Sequence, residues 1–175
     1  VEPKFDGTRV QIHFRRGGKD WEVRTFTRNL EETSKMFPEL KEMVLHVKAD
    51  ELVLDSEAVG IDPKTGKMMS FQMTITRKRK HGVANQAGKV PLKFFVFDVM
   101  YLDGKSLIDK TYEERRAILK DVIKDKDLLV VDDYWETDDP KKIRQMHERL
   151  LGEGLEGVIV KKLGSEYVPG RTGWR

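Results

Sequence analysis

Apolar and polar residues alternate at the start of the chain. Val10, Ile12 and Phe14 are interleaved with Gln11, His13 and Arg15, the period of two expected for a half-buried strand. Gly17-Gly18 within Arg15–Asp20 then predicts a hairpin, with the return strand at about Trp21–Phe26. From Phe37 to Val47 the apolar positions are Leu40, Met43, Val44 and Val47, which is helical spacing with Pro38 in the first turn. A strand follows over Leu52–Ile61, and Asp62–Lys67 reads as a turn. The stretch from Leu92 to Tyr101 is mostly apolar, interrupted by Asp98, and predicts a buried strand closed by an Asp103-Gly104 turn.

Thr111 with Glu114 forms a capping-box pattern for a helix through Ile123, and Asp139-Pro140 opens a second helix to about Leu151. Between them, about Leu128–Tyr134 reads as a strand, and Gly157–Lys162 as a last short one. Many strands with interspersed helices, without internal repeats, predict an α+β domain of largely antiparallel sheets flanked by helices.

Composition adds little to the fold and more to the setting. The 175 residues suffice for one domain with a sizeable core. Charged residues make up 36%, above the usual quarter, so the surface is densely charged. With 33 basic and 30 acidic residues the net charge is +3, too small to mark a nucleic-acid binder without local clustering. The clearest cluster is Arg77-Lys78-Arg79-Lys80, which reads either as a solvated loop or as a phosphate-backbone contact. The absence of cysteine excludes disulfides and thiolate metal sites. No apolar run is long enough to span a membrane and no signal peptide opens the chain, so the expectation is an intracellular protein, cytoplasmic or nuclear. Both ends look cut, which suggests a fragment of a longer protein.

The candidate chemistry is concentrated in Lys4-Phe5-Asp6-Gly7-Thr8-Arg9. If Lys4 to Asp6 is extended, both side chains point to one face, and Gly7 permits a tight turn or a close backbone approach. A lysine amine is protonated at neutral pH unless burial, a nearby cation or a metal lowers its pKa from about 10.4. Arg9 and a divalent ion on a phosphate are the available agents. The bland reading is an exposed Lys–Asp pair beside a turn. Glu57, Asp98 and Glu156 each punctuate an apolar strand, where a carboxylate must be paired or metal-bound. Together with Lys4, Arg28, Lys161 and Lys162 they make an inventory suited to a polyphosphate and a hard cation such as Mg²⁺. Phe94, Phe95 and Phe97 are mostly core candidates, although one ring on an open face would stack on a purine.

In order along the chain, Lys4–Arg9, Phe26-Thr27-Arg28-Asn29, Leu54–Val59, Phe95–Gly104, Glu156–Lys161 and Pro169–Trp174 resemble the nucleotidyltransferase (adenylation) domain of ATP-dependent DNA ligases. The resemblance covers nearly the whole chain. It implies an ATP-grasp-like nucleotidyltransferase domain over 1–175, incomplete at both ends and lacking the OB-fold domain that normally follows in cis. It implies that Lys4 takes AMP from ATP, passes it to the 5′-phosphate of nicked double-stranded DNA, and that the 3′-hydroxyl then seals the strand. Carried over by position, Glu2 would contact adenine and Phe97 would stack on it. Arg9 and Arg28 would hold phosphate or ribose, Lys161 would contact the α-phosphate, and Glu57 would bind the ribose or act near the metal. Glu156 would help hold Mg²⁺ or Mn²⁺. The resemblance also implies a monomer, and a fragment that seals nicks weakly or not at all. An RNA ligase, an mRNA-capping-type transferase and a non-catalytic nucleic-acid-binding derivative are the competing readings.

Overall fold

A computed structural model of the chain describes residues 1–70, 91–124 and 127–170. The basic run Arg77–Lys80 and the last five residues of the Gly- and Pro-rich tail lie outside them. Among the described residues there are eight strands: β1 (Glu2–Lys4), β2 (Thr8–Gly17), β3 (Asp20–Phe26), β4 (Glu51–Gly60), β5 (Leu92–Leu102), β6 (Lys105–Ser106), β7 (Leu129–Val131) and β8 (Gly157–Ile159). Of the described residues, Tyr112–Val122 form helix α1 and Pro140–Gly152 form helix α2. The main sheet runs β3-β2-β4-β5-β6, with β7 also on β5, and β1 pairs with β8 in a separate ribbon. All ladders are antiparallel except β5–β7, whose crossover contains α1.

Alternation decides which face is core. Val10, Ile12 and Phe14 of β2, Leu52 and Leu54 of β4, and Phe94 and Val96 of β5 are buried. They pack with Leu40, Leu119, Val122 and Leu129 into one cluster. The opposite face carries Arg9 and Gln11, which lie across from Glu57 and Asp55. The expected helix starts hold: in the Thr111 capping box Thr111 Oγ1 accepts from the Glu114 amide and Glu114 from the Thr111 amide, while Asp139 as N-cap accepts from the Lys141 amide at 2.9 Å.

Four local expectations are corrected. The Phe37–Val47 segment is not an α-helix but a 3₁₀ helix over Pro38–His46, preceded by a shorter one at Ser34–Met36. Phe37, Leu40 and Met43 are spaced by three, which places them on one face of a three-residue turn. The strand expected over Leu128–Tyr134 is only Leu129–Val131, because the Asp132 carbonyl turns to accept from the Arg116 guanidinium. The last strand stops at Ile159 rather than Lys162. Its partner Glu2 is the first paired residue of β1, and Val1 exchanges backbone bonds with Trp135 instead. Finally, Lys4–Asp6 is not one extended run: β1 ends at Lys4 and the chain bends at Asp6-Gly7. Gly7 passes so close to β4 that a Cβ there would lie 2.5 Å from the Ala58 carbonyl oxygen, so the close-approach reading is the right one.

Candidate active site

The β1–β8 ribbon carries Lys4 at the end of one strand and Glu156 immediately before the other. The Glu156 amide donates to the Lys4 carbonyl at 2.9 Å, and the two side chains form an ion pair. Both are nearly half exposed, so the pair is accessible from solvent. Gly157 fixes the geometry behind it. Its φ is +120°, and a Cβ would fall 2.3 Å from the His147 ring on α2. Helix and strand therefore approach without a side chain between them.

A second group of charges lies on the open face of the main sheet. Arg9 donates through Nε to Asp55 Oδ1 at 2.8 Å and through Nη2 to Oδ2, a two-pronged pair on a buried carboxylate. The same Nη2 donates to the Tyr167 hydroxyl at 3.2 Å. Bonding to Asp55 raises the Arg9 pKa further, so it stays a cation. For Asp55, burial pushes the carboxyl up and the Arg9 bonds pull it back. Glu57, two residues along and facing Arg9, accepts no hydrogen bond from the described residues. Burial, reinforced by the charges of Asp55 and Asp6, pushes its carboxyl up to about 7, against Arg9 and Lys4. Near neutrality it therefore gains or loses a proton readily.

The third group surrounds Phe97. The β4–β5 ladder skips a residue there: Ser56 faces Val96 while Asp55 faces Asp98, so Phe97 is the extra residue of a β-bulge. Lys161 lies over its ring at 5.4 Å and over the Tyr112 ring at 4.8 Å. The Lys161 ammonium also pairs with Glu2 at 2.7 Å, and the Tyr112 hydroxyl donates to the same buried carboxylate. Burial, then the Glu2 charge, push the Tyr112 hydroxyl pKa up, which keeps it a donor. Phe95, the neighbouring candidate, is already covered by Phe5 at 4.0 Å in a stacked pair.

Arg28 sits on the exposed turn after β3 and shares with Arg9 and Tyr167 a cleft of ≈ 420 Å³. Asp98 leaves the candidate list: Arg115 of α1 grips it at 2.7 and 3.1 Å, a structural salt bridge. Sequence reasoning missed Asp55 and Tyr112. Asp55 had a signal, because residues two apart in a strand share a face and Glu57 was already a candidate. Tyr112 had none, since only the tertiary fold brings it 110 positions back to Glu2. Among the described residues no three His, Cys, Asp or Glu side chains cluster around one point. A cation that takes one or two carboxylates with phosphate oxygens and water, such as Mg²⁺, needs no such cluster.

A sequence model described as ATP dependent DNA ligase domain matches residues 1–175. A protein named "Probable DNA ligase" from Dictyoglomus turgidum is 39% identical over 171 residues, covering 97% of this chain and 29% of that protein. A "DNA ligase" from Methanothrix thermoacetophila is 41% identical over 175 residues, covering 99% of this chain and 30% of that protein. The chain thus spans about a third or less of the length of these curated relatives. A solved structure of mycobacterial DNA ligase D complexed with ATP and MES superposes with a TM-score of 0.71 at 28% identity, covering 97% of this chain and 50% of that one. The ligase domain of M. tuberculosis LigD gives the same TM-score and identity.

Proposed function

The chain belongs to the ATP-dependent DNA ligase domain family, and from that premise we propose that it is the adenylating part of a DNA ligase, with Lys4 as its nucleophile. The observation that supports this most is the meeting of Lys4 and Glu156 across the ribbon, with Arg9 and Glu57 on β2 and β4 of the main sheet and Lys161 just beyond β8. Transfer of a phosphoryl-type group needs positioned cations around developing negative charge more than elaborate covalent chemistry.

In this reading Lys4 Nζ first sheds its proton to solvent, to which the Lys4–Glu156 pair is open. The amine attacks the α-phosphorus of ATP, an N–P bond forms, and the P–O bond to pyrophosphate breaks. A 5′-phosphate oxygen at a DNA nick then attacks the same phosphorus and frees Lys4. Attack of the 3′-hydroxyl on the 5′-phosphorus closes the strand and releases AMP. Phe97 offers its half-buried ring to adenine. Glu2, shared between Tyr112 and Lys161, forms the floor of that pocket and holds Lys161 for the α-phosphate. Arg9 keeps only the donors that Asp55 and Tyr167 leave free for phosphate or ribose, while Arg28 is open to them entirely from its turn. A divalent cation, Mg²⁺ or Mn²⁺, would be held by Glu57 and Glu156. When bound it would neutralise phosphate charge and assist the leaving group. The basic run Arg77–Lys80 is proposed as a further contact to the duplex backbone, and an OB-fold domain elsewhere in the polypeptide as the partner that completes the reaction.

The test is covalent labelling of the complete protein. ATP carrying label in its α-phosphate should mark the wild-type chain, GTP and NAD should not, and Lys4→Ala should abolish the mark. Nicked DNA should discharge the label and nicked RNA should not. Persistence of label on Lys4→Ala would remove the assigned nucleophile.

A further inference from the structure

Among the described residues two that are not glycine have a positive φ, Asp103 at 43° and Leu30 at 62°. Asp103 has an evident reason. It precedes Gly104 in the tight β5–β6 hairpin, and its Oδ1 accepts the Asp50 and Glu51 amides at 2.7 and 2.8 Å. Leu30 has none of this. Leucine lacks a polar group to compensate for a left-handed backbone, which costs it about 1–2 kcal/mol. Its side chain is 70% exposed, so core packing does not explain the choice.

The turn itself imposes the conformation. The Thr27 amide donates to the Glu31 carbonyl and the Leu30 amide to the Thr27 carbonyl, both at 2.9 Å. Thr27 Oγ1 accepts the Asn29 and Glu31 amides at 3.3 Å. Glycine or asparagine would sit there with less strain, yet the chain presents a leucine. Leu30 lines the same ≈ 420 Å³ cleft as Arg28, Arg9 and Tyr167. Leu30 shares this wall with the cations Arg9 and Arg28, whereas the centre of a protein interface is depleted of charge. The combination does match a nucleotide, in which an anionic phosphate alternates with the apolar edge of a sugar and base.

We propose that Leu30 is an apolar seat for nicked duplex DNA, packing on the sugar and base edge of the nucleotide whose phosphate Arg28 holds. The inference rests on the DNA-ligase reading above and adds to it a contact that carries no charge. The strained backbone aims the side chain into the cleft, and the Thr27 hydrogen bonds keep it there when no DNA is bound.

The experiment compares wild-type, Leu30→Asn and Arg28→Ala forms of the complete protein, measuring affinity for nicked duplex DNA across a salt series and the thermal midpoint. Leu30→Asn tolerates the left-handed backbone, so its thermal midpoint should equal or exceed that of the wild type. Its affinity should fall about 5- to 10-fold with the salt slope unchanged, because an apolar contact and no phosphate contact is lost. Arg28→Ala should instead flatten the slope by roughly one phosphate. Wild-type affinity in Leu30→Asn overturns the proposal, as does a lowered thermal midpoint, which would make the leucine a structural residue. A wild-type protein that takes no label from ATP, or does not bind nicked DNA, would instead sink the ligase reading itself.

Discussion

Gly157→Ala should separate backbone strain from side-chain overlap at the base of the Lys4–Glu156 pair. Alanine at φ +120° enters a region that L-residues rarely adopt, at a cost of about 1–3 kcal/mol. The new Cβ would also lie 2.3 Å from the His147 ring, and moving that ring or shifting β8 adds about 1–3 kcal/mol. The sum, about 2–6 kcal/mol, is a large fraction of the stability of an ordinary domain. Urea unfolding of wild type, Gly157→Ala, His147→Ala and the double variant measures both parts. His147→Ala should recover the overlap in the Gly157→Ala background and leave the strain. Label transfer from ATP to Lys4 should fall further than stability accounts for, because Glu156 is displaced along with Gly157. A Gly157→Ala protein within about 0.5 kcal/mol of wild type, or full recovery in the double variant, would refute the reasoning.

Two further outcomes follow from buried charge. The Glu57 pKa is raised to about 7 in the fold, above its unfolded value, so its stabilising contribution is present at low pH and is lost as pH rises through about 7. Glu57→Gln should therefore match wild type near pH 4 and exceed it at pH 8 by on the order of 1–3 kcal/mol, read from urea midpoints without nucleotide or divalent ion. Equal stability at both pH values would show that the carboxyl is solvated. Arg116, fully buried, pairs with buried Asp132 and donates to the Phe97 carbonyl at 3.2 Å. Arg116→Met leaves that carboxyl unpaired and should cost about 3–5 kcal/mol at pH 8. Burial already pushes Asp132 up to about 7. The deficit should thus shrink by pH 5, where the carboxyl is protonated, and a deficit independent of pH would contradict this account.

The strands and helices were legible because their signals are local. Val10, Ile12 and Phe14 announce a face by alternation, and Thr111 with Glu114 announces a helix start by two hydrogen bonds within four residues. What failed depends on distant partners. The early ends of β7 and β8 follow from what lies across from them, not from their own residues. The same division applies to the site. Lys4, Glu57 and Glu156 are visible as charges in apolar surroundings, whereas the partner of Arg9 and the role of Tyr112 become apparent only when β4 and α1 are in place.

In the site, Lys4, Arg9 and Lys161 are each already paired, and the burial of their partners decides which can move. Asp55 and Glu2 are 1% and 2% exposed, and withdrawing Arg9 or Lys161 completely would strand a buried carboxylate at a cost of several kcal/mol. The Lys4–Glu156 pair is nearly half exposed on both sides, where an ion pair is worth about 1 kcal/mol or less. A triphosphate arriving with several negative charges can therefore take Lys4 from Glu156 at little expense, while Arg9 and Lys161 turn only their spare donors toward it. Lys161 lies over the ring proposed for adenine, so base and phosphate meet the same side chain, and its tie to Glu2 limits how far it slides. The proposed nucleophile is the loosest cation of the three, and the two proposed to orient phosphate are anchored from beneath, as preorganised electrostatics requires.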